Sequence, residues 1–139
     1  MDNKIKALAE YLGIEESAVK PTGFDSYETD CNEYLVLTEE EANQKTKEYI
    51  EDSLWAFDTG FILYACDLNN TEEVSCSLRK MQEESCEGCN DFIRALVDGT
   101  CGIDEFVNQA IITDGRGNFL SLYDGEEGEQ DGYFIYCIG

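Results

Sequence analysis

Two short segments rich in aromatic and aliphatic residues, one near each end of the chain, most constrain the fold. Residues 33–37 (EYLVL) and 133–137 (YFIYC) have the composition of β-strands, and so do residues 119–123 (FLSLY). We predict an antiparallel hairpin formed by 119–123 and 133–137 around a long acidic loop. This hairpin is expected to pair with residues 33–37, which gives a sheet of three strands.

Helical patterns fill the chain between these strands. Thr38 and Glu41 match a capping box, in which each side chain accepts a hydrogen bond from the backbone amide of the other residue, so a helix is expected to follow. The apolar run 61–66 is too short for its periodicity to separate helix from buried strand, and we favour helix. The predicted helical segments are 2–13, a short turn within 14–19, 39–58, 61–66, a pair within 72–99, and 103–111.

Together these elements predict an α+β fold, with about five helices packed on a small three-stranded antiparallel sheet that ends in a C-terminal β-hairpin. The length of 139 residues, with 42% hydrophobic and 12% aromatic residues, suits one folded core. We therefore predict a single domain over residues 1–139.

The excess of acidic over basic residues excludes several classes of function. The chain has 31 Asp and Glu, 9 Lys and Arg and no His, for a formal net charge of -22 at pH 7. Because such a chain cannot neutralise many phosphates, we expect no direct binding to nucleic acid or to anionic lipid. The lack of His rules out Ser-His-Asp and Cys-His catalysis and every zinc site that includes His.

The sequence also lacks the marks of membrane insertion and secretion. It contains no stretch of about 18 apolar residues, and its N-terminal segment combines helical periodicity with charges instead of an apolar signal-peptide block. We expect a soluble protein that works in the cytosol of a host cell.

The seven cysteines admit two interpretations. An odd number without a secretion signal indicates reduced thiols, which pack as small hydrophobic side chains. The alternative is a structural zinc site with four thiolate ligands, built around the C-x-x-C pair: Cys76, Cys86, Cys89 and Cys101. Redox catalysis by this pair is not expected, because the acidic residues that flank it raise the pKa of a thiol.

Dense carboxylates also raise the possibility of calcium binding or of acid catalysis. A loop that starts at Asp124 fails the EF-hand pattern, since its sixth position is Glu129 where glycine is required. A glycosidase with two carboxylates about 5 to 10 Å apart needs no His, but nothing in the sequence selects a pair. We therefore predict neither enzymatic activity nor a cofactor.

The charge as a whole suggests imitation of DNA. Duplex DNA carries one phosphate per about 1.7 Å of its axis, and carboxylates three or four residues apart on a helix have Cβ atoms about 5 to 6 Å apart. Basic residues are absent between Lys47 and Arg79 and again after Arg116, so negative charge is concentrated in these regions. The predicted partner-binding residues are Glu48, Glu51, Asp52, Asp58, Asp124, Glu126, Glu127, Glu129 and Asp131.

Two blocks of sequence resemble a group of small acidic proteins from phages and mobile elements. The first block is YLVLTEEEA at 34–42, continued through Tyr49 and Ile50 to SLWAF at 53–57, and the second runs from Phe106 to Glu127 and includes DGRGNFL at 114–120. Most members of this group have no assigned function. In size and acidity the chain is also similar to phage-borne DNA mimics, namely Ard-type anti-restriction proteins and several anti-CRISPR proteins. The many cysteines within 66–101 depart from the pattern of the group.

These observations predict a phage-encoded acidic inhibitor of a host defence nuclease. Its partner is expected to be a basic protein that binds nucleic acid, and a CRISPR effector nuclease is the favoured target because its guide–target duplex lies in a positively charged channel. The alternatives left open are an anti-restriction protein that acts on a restriction-modification enzyme and the cysteine-organised zinc protein. The sequence leaves the oligomeric state undecided.

Overall fold

A computed structural model describes residues 3–139, and its fold is α+β, as predicted. The helices are Asn3–Leu12 (α1), Glu39–Asp52 (α2), Thr59–Ala65 (α3), Glu72–Ser85 (α4), Asn90–Asp98 (α5), Ile103–Asp114 (α6) and Arg116–Leu120 (α7). The strands are Lys20–Pro21 (β1), Ser26–Glu28 (β2), Glu33–Leu37 (β3), Gly128–Gln130 (β4) and Tyr133–Cys137 (β5). Asp2, the first residue of the first predicted helix, lies outside the described residues.

The chain divides into two compact units. Among the described residues, the first unit contains 3–46 and 114–139, and the second contains 47–113. The chain leaves the first unit within α2 and returns to it at the end of α6. The single domain over 1–139 stays a prediction.

All five strands belong to the first unit and form one antiparallel sheet with the order β1-β2-β3-β5-β4. The predicted pairing of the C-terminal hairpin with 33–37 is confirmed, because Tyr34 lies opposite Cys137 and Leu37 lies opposite Phe134. The predicted number of three strands is wrong. Strands β1 and β2 were missed because they have two and three residues and no apolar run that would signal a strand.

The predicted strand 119–123 is also wrong. Residues Arg116–Leu120 form helix α7, and Ser121 donates its amide hydrogen to the carbonyl of Gly117 at 2.8 Å. Phe119 and Leu120 are both buried, although a strand with one covered face would place consecutive side chains on opposite faces. The partner of β5 in the hairpin is instead β4, which lies within the segment predicted to be loop.

Within the first unit, successive side chains of the central strands point to opposite faces of the sheet, and helices pack on both faces. On one face Val36 and Ile135 pack against Leu8 and Ala9 of α1. On the other face Leu37 and Tyr136 pack against Ala42 and Leu120, which come from the start of α2 and from α7. The central strands β3 and β5 are therefore fixed by helices on either side.

The capping box at the start of α2 is confirmed. The backbone amide of Thr38 donates to Oε1 of Glu41 at 2.9 Å, and the amide of Glu41 donates to Oγ1 of Thr38 at 3.2 Å. The helix ends at Asp52, earlier than predicted, and a short 3-10 turn follows at Leu54–Ala56. Asn90 holds this break, since its Oδ1 accepts from the amide of Trp55 at 3.1 Å and its Nδ2 donates to the carbonyl of Glu51 at 2.8 Å.

The second unit is helical and has its own core. Three aromatic rings meet in it, with centroid separations of 5.2 to 5.5 Å, from Phe57, Phe61 and Phe106. Such edge-to-face and offset contacts add to the burial of apolar surface. The segment 61–66 is helical, as favoured from the sequence, and lies largely in α3. Across residues 3–139, none of the helices combines the length and apolarity needed to cross a membrane.

Candidate functional site

The predicted contact residues between Asp124 and Asp131, here called the acidic loop, are held by a cluster around Glu127. Oε1 of Glu127 lies 2.8 Å from Nε of Arg116, and the Tyr136 hydroxyl donates to the same carboxylate. The guanidinium of Arg116 also lies over the ring of Phe134, 4.5 Å from its centroid. Burial and the neighbouring carboxylate raise the pKa of Tyr136 far above its usual range, so its hydroxyl remains a donor. Glu127 is thus an anchor of the loop.

The beginning of the acidic loop is fixed by Asp124 and by a close approach at Gly117. Oδ1 of Asp124 accepts from the Ser121 hydroxyl at 2.6 Å and from the amide of Glu126 at 3.0 Å. The Ser121 hydrogen bond, followed by that of the Glu126 amide, lowers the pKa of Asp124, so this carboxylate stays ionised. A Cβ atom on Gly117 would lie 2.6 Å from the carbonyl oxygen of Gly125, so only glycine permits this approach.

The end of the acidic loop is a tight turn beside a second carboxylate. Asp131 and Gly132 both have positive φ, 53° and 83°, as a two-residue hairpin turn requires. Asp131 lies within hydrogen-bonding distance of Glu10 on α1, and this contact raises the pKa of Glu10. The Nε2 atom of Gln130 donates to Oε2 of Glu10 at 3.2 Å. Two like charges are thus held together at this end of the loop.

The other four predicted contact residues are Glu48, Glu51, Asp52 and Asp58. Two of them make contacts within the protein, and two are exposed on α2. Glu51 pairs with Arg94, whose Nη1 lies 3.2 Å from Oε2. The Asp58 carboxylate accepts from the amide of Phe61 at 3.2 Å and caps α3. Glu48 and Asp52 are exposed and stand one helical turn apart on α2, so their carboxylates share one face.

The predicted contact residues therefore form two sets, one in each unit. The first unit contains the acidic loop, in which Glu126, Glu129 and Asp131 are exposed, and the second unit contains Glu48, Glu51, Asp52 and Asp58. Several basic side chains form ion pairs with carboxylates of the same chain, namely Lys4, Lys47, Lys80, Arg94 and Arg116. The formal net charge of -22 leaves carboxylates in large excess.

The cysteines give no support to the zinc alternative. All seven thiols are free, and among the described residues no three or more Cys, Asp or Glu side chains converge as metal ligands. Cys76, Cys86, Cys89 and Cys101 therefore do not form one ligand set. Burial raises the pKa of the Cys89 thiol.

A pocket of tyrosines and carboxylates beside the acidic loop was missed in the sequence. This cavity of about 280 Å³ is lined by the rings of Tyr11, Tyr34 and Tyr123 and by the acidic residues Asp124 and Glu126. The three tyrosines come from α1, from β3 and from the segment after α7. Because no spacing in the sequence relates them, only the folded chain brings them together.

A scan against protein-family models found no match, a search of curated proteins found no significant match, and a search of solved structures found no significant match.

Proposed function

We propose that the chain is a phage-encoded acidic inhibitor of a host defence nuclease, which acts by binding and not by catalysis. In this proposal its carboxylates occupy the basic nucleic-acid channel of the nuclease as a mimic of DNA, inside the host cell. The favoured target is an RNA-guided CRISPR effector, whose positively charged channel contacts the sugar-phosphate backbone of the guide–target duplex.

The observation that carries this proposal is the anchored acidic loop. Arg116, Tyr136, Ser121 and Gly117 hold its backbone and two of its carboxylates, while Glu126, Glu129 and Asp131 face solvent. A fixed set of charges loses less conformational entropy on binding than a flexible acidic tail would. The loop is therefore suited to present carboxylates at defined positions.

The energetic cost of the charge distribution supports a binding role. Glu10 and Asp131 lie together in spite of their like charges, and no Lys or Arg follows Arg116 in the sequence. Such repulsion destabilises the compact state, and a basic partner surface would relieve it. Attraction between opposite charges would also make association fast and sensitive to salt.

The test measures binding of the purified chain to a purified CRISPR effector and to a restriction-modification enzyme, from about 0.1 to 0.5 M salt. We expect tight binding to the effector at low salt, weakening steeply as salt rises, and competition with target DNA. Binding to the restriction-modification enzyme alone would move the proposal to an anti-restriction role. Failure to bind either protein, or an affinity indifferent to salt, would contradict DNA mimicry.

Matched variants separate specific contacts from total charge. The first double variant combines Glu126→Gln and Glu129→Gln. The second combines Glu48→Gln and Asp52→Asn. The control, Glu15→Gln with Glu16→Gln, removes the same number of charges from exposed positions outside the predicted contacts. Each contact variant should weaken binding by roughly tenfold and the control by much less. An equal loss in all three would mean that only net charge matters.

A further inference from the structure

The pocket beside the acidic loop forms where the segments that carry the three tyrosines come together. Tyr34 lies opposite Cys137 in the ladder between β3 and β5, and the amide of Tyr123 donates to the carbonyl of Cys137 at 3.2 Å. Tyr11 packs so closely on Gly128 that a Cβ atom there would lie 2.3 Å from its hydroxyl oxygen. These contacts bring the three tyrosines to one cavity.

Two carboxylates among the lining residues give the pocket negative charge. Asp124 is kept ionised by its hydrogen bonds with Ser121 and with the amide of Glu126, and Glu126 is exposed. Among the described residues that line the cavity, none is Lys or Arg. A cation that enters the pocket would meet tyrosine side chains and carboxylates, with no Lys or Arg among the described lining residues to repel it.

Aromatic faces attract cations because the ring quadrupole is negative above and below the ring plane. A guanidinium group suits this pocket better than an ammonium group, since its planar surface stacks on aromatic rings while its N–H groups bond to carboxylates. Burial raises the pKa of Tyr34, with Tyr11 and Asp124 among the neighbours that add to the shift, so this ring remains neutral beside the bound cation.

We propose that the pocket of Tyr11, Tyr34, Tyr123, Asp124 and Glu126 binds an arginine side chain of the protein partner. This inference rests on the proposed function, because the partner is expected to have a basic channel. It adds a specific contact to the general attraction of charge: one arginine inserts its guanidinium between the tyrosine rings, and the exposed carboxylates of the acidic loop meet the surrounding basic surface.

The test uses the full chain and three blocked tripeptides that differ only at the central residue, which is arginine, lysine or citrulline. Binding is measured by NMR titration at about 0.15 M salt, where weak attraction between distant charges is screened. We expect the arginine peptide to bind most tightly and to shift the amide signals of Tyr123 and Glu126. Citrulline, which keeps the shape without the charge, should bind at least tenfold more weakly.

Two pairs of variants separate the pocket from bulk charge. Tyr123→Leu removes an exposed ring of the pocket, and Tyr64→Leu removes an equally exposed ring of the second unit. Glu126→Gln removes a pocket charge, and Glu72→Gln removes an exposed charge of α4. The pocket variants should weaken arginine binding by about three- to tenfold, as expected for a cation–π contact and one ion pair, while the controls leave it unchanged.

The outcomes distinguish this inference from the proposed function. Equal losses in pocket and control variants, or tetramethylammonium binding in the pocket without arginine binding, would overturn the arginine site. If the peptide binds in the pocket but the wild-type chain binds no nuclease, the arginine site stands and the proposed function fails. If the nuclease binds wild type and Tyr123→Leu equally, the function stands and this inference fails.

Discussion

The carboxylate of Glu127 and the guanidinium of Arg116 lie 2.8 Å apart, and Arg116 is almost entirely buried, with 11% of its side chain exposed. This contact joins the acidic loop to α7. Glu127→Gln removes the charge that compensates Arg116, so we expect the free energy of unfolding to fall by about 1 to 2 kcal/mol. Urea denaturation would measure this loss. The neighbouring Glu126→Gln, which breaks no such contact, should be close to neutral, and equal effects would contradict the anchoring role of Glu127.

Gly117→Ala should be destabilising for steric reasons. The new methyl group would lie 2.6 Å from the carbonyl oxygen of Gly125 and 2.8 Å from the carbonyl carbon of Glu126, and backbone atoms cannot swing away as a side chain can. We expect a loss of about 1 to 3 kcal/mol in thermal or urea unfolding. Gly88→Ala is the control, because its nearest neighbour would be 3.8 Å away. A tolerated Gly117→Ala would mean that the loop is not held against α7.

Gln82 is expected to be a major determinant of stability in the second unit. Its Nε2 donates to the carbonyls of Trp55 and Phe57 at 2.9 and 2.7 Å, and its Oε1 accepts from the Thr59 hydroxyl at 2.6 Å. Gln82→Leu leaves these groups without a partner, at a cost of about 2 to 3 kcal/mol.

The readout for Gln82→Leu is the fluorescence of Trp55, the single tryptophan, during urea denaturation. Gln109→Leu is the matched control, since Gln109 donates to the exposed Glu105 on the same helix, and its effect should stay within about 0.5 kcal/mol. If both variants unfold at the same urea concentration, the Gln82 hydrogen bonds do not stabilise the unit.

Glu41 should make stability depend on pH in the acid range. The Thr38 amide and then Lys4, whose Nζ lies 2.9 Å from Oε1, lower the pKa of Glu41 in the folded state. A carboxyl with a lowered folded pKa stabilises the protein above its unfolded pKa and loses that contribution as pH falls through the folded value. The stability difference between wild type and Glu41→Gln should therefore shrink between about pH 6 and pH 3. A difference that stays constant with pH would exclude this linkage.

Glu10 should have the opposite effect. Its pKa is raised by its hydrogen bond to Asp131 and by that residue's negative charge, so the ionised pair destabilises the fold at neutral pH and protonation relieves the repulsion. Glu10→Gln should raise the melting temperature at neutral pH, and the gain should shrink as pH falls through the raised folded pKa and vanish below the ordinary carboxyl pKa of the unfolded chain. Glu129→Gln removes one charge from the same loop without touching the pair. A gain of the same size from Glu129→Gln would assign the effect to net charge.

The sequence predicted best those features that depend on nearby residues. The contact between Thr38 and Glu41, for example, joins residues only three apart. The pairing of β3 with β5 was also predictable, because both strands are aromatic and apolar along their whole length.

Features set by distant contacts were missed. Helix α2 stops at Asp52 because Asn90, far along the chain, bonds to the backbone at the break. Residues 119–123 have strand composition, but the approach of 125–127 to Gly117 favours a short helix. The Asp131–Gly132 turn did carry a local signal, since Asp-Gly is a preferred hairpin turn, and it was overlooked within the acidic loop.

The candidate site was predicted only in part, because its details also depend on contacts between distant residues. Charge density located the acidic loop, but composition does not show that two of its exposed carboxylates, Asp124 and Glu127, also accept hydrogen bonds from Ser121 and Arg116. That distinction depends on which carboxylates meet a donor in the folded chain. The tyrosine pocket depends in the same way on contacts between α1, β3 and the segment after α7.

The buried position of Arg116 has a consequence for proteolysis. Trypsin must bind the side chain of a basic residue and extend the backbone around it, and Arg116 is the first residue of α7, with only 11% of its side chain exposed. Because no Lys or Arg follows it, a cut at Arg116 would release the acidic loop and β5 together as one peptide. The appearance of that peptide during digestion therefore reports how often α7 opens, and a bound partner that closes over the loop would delay it.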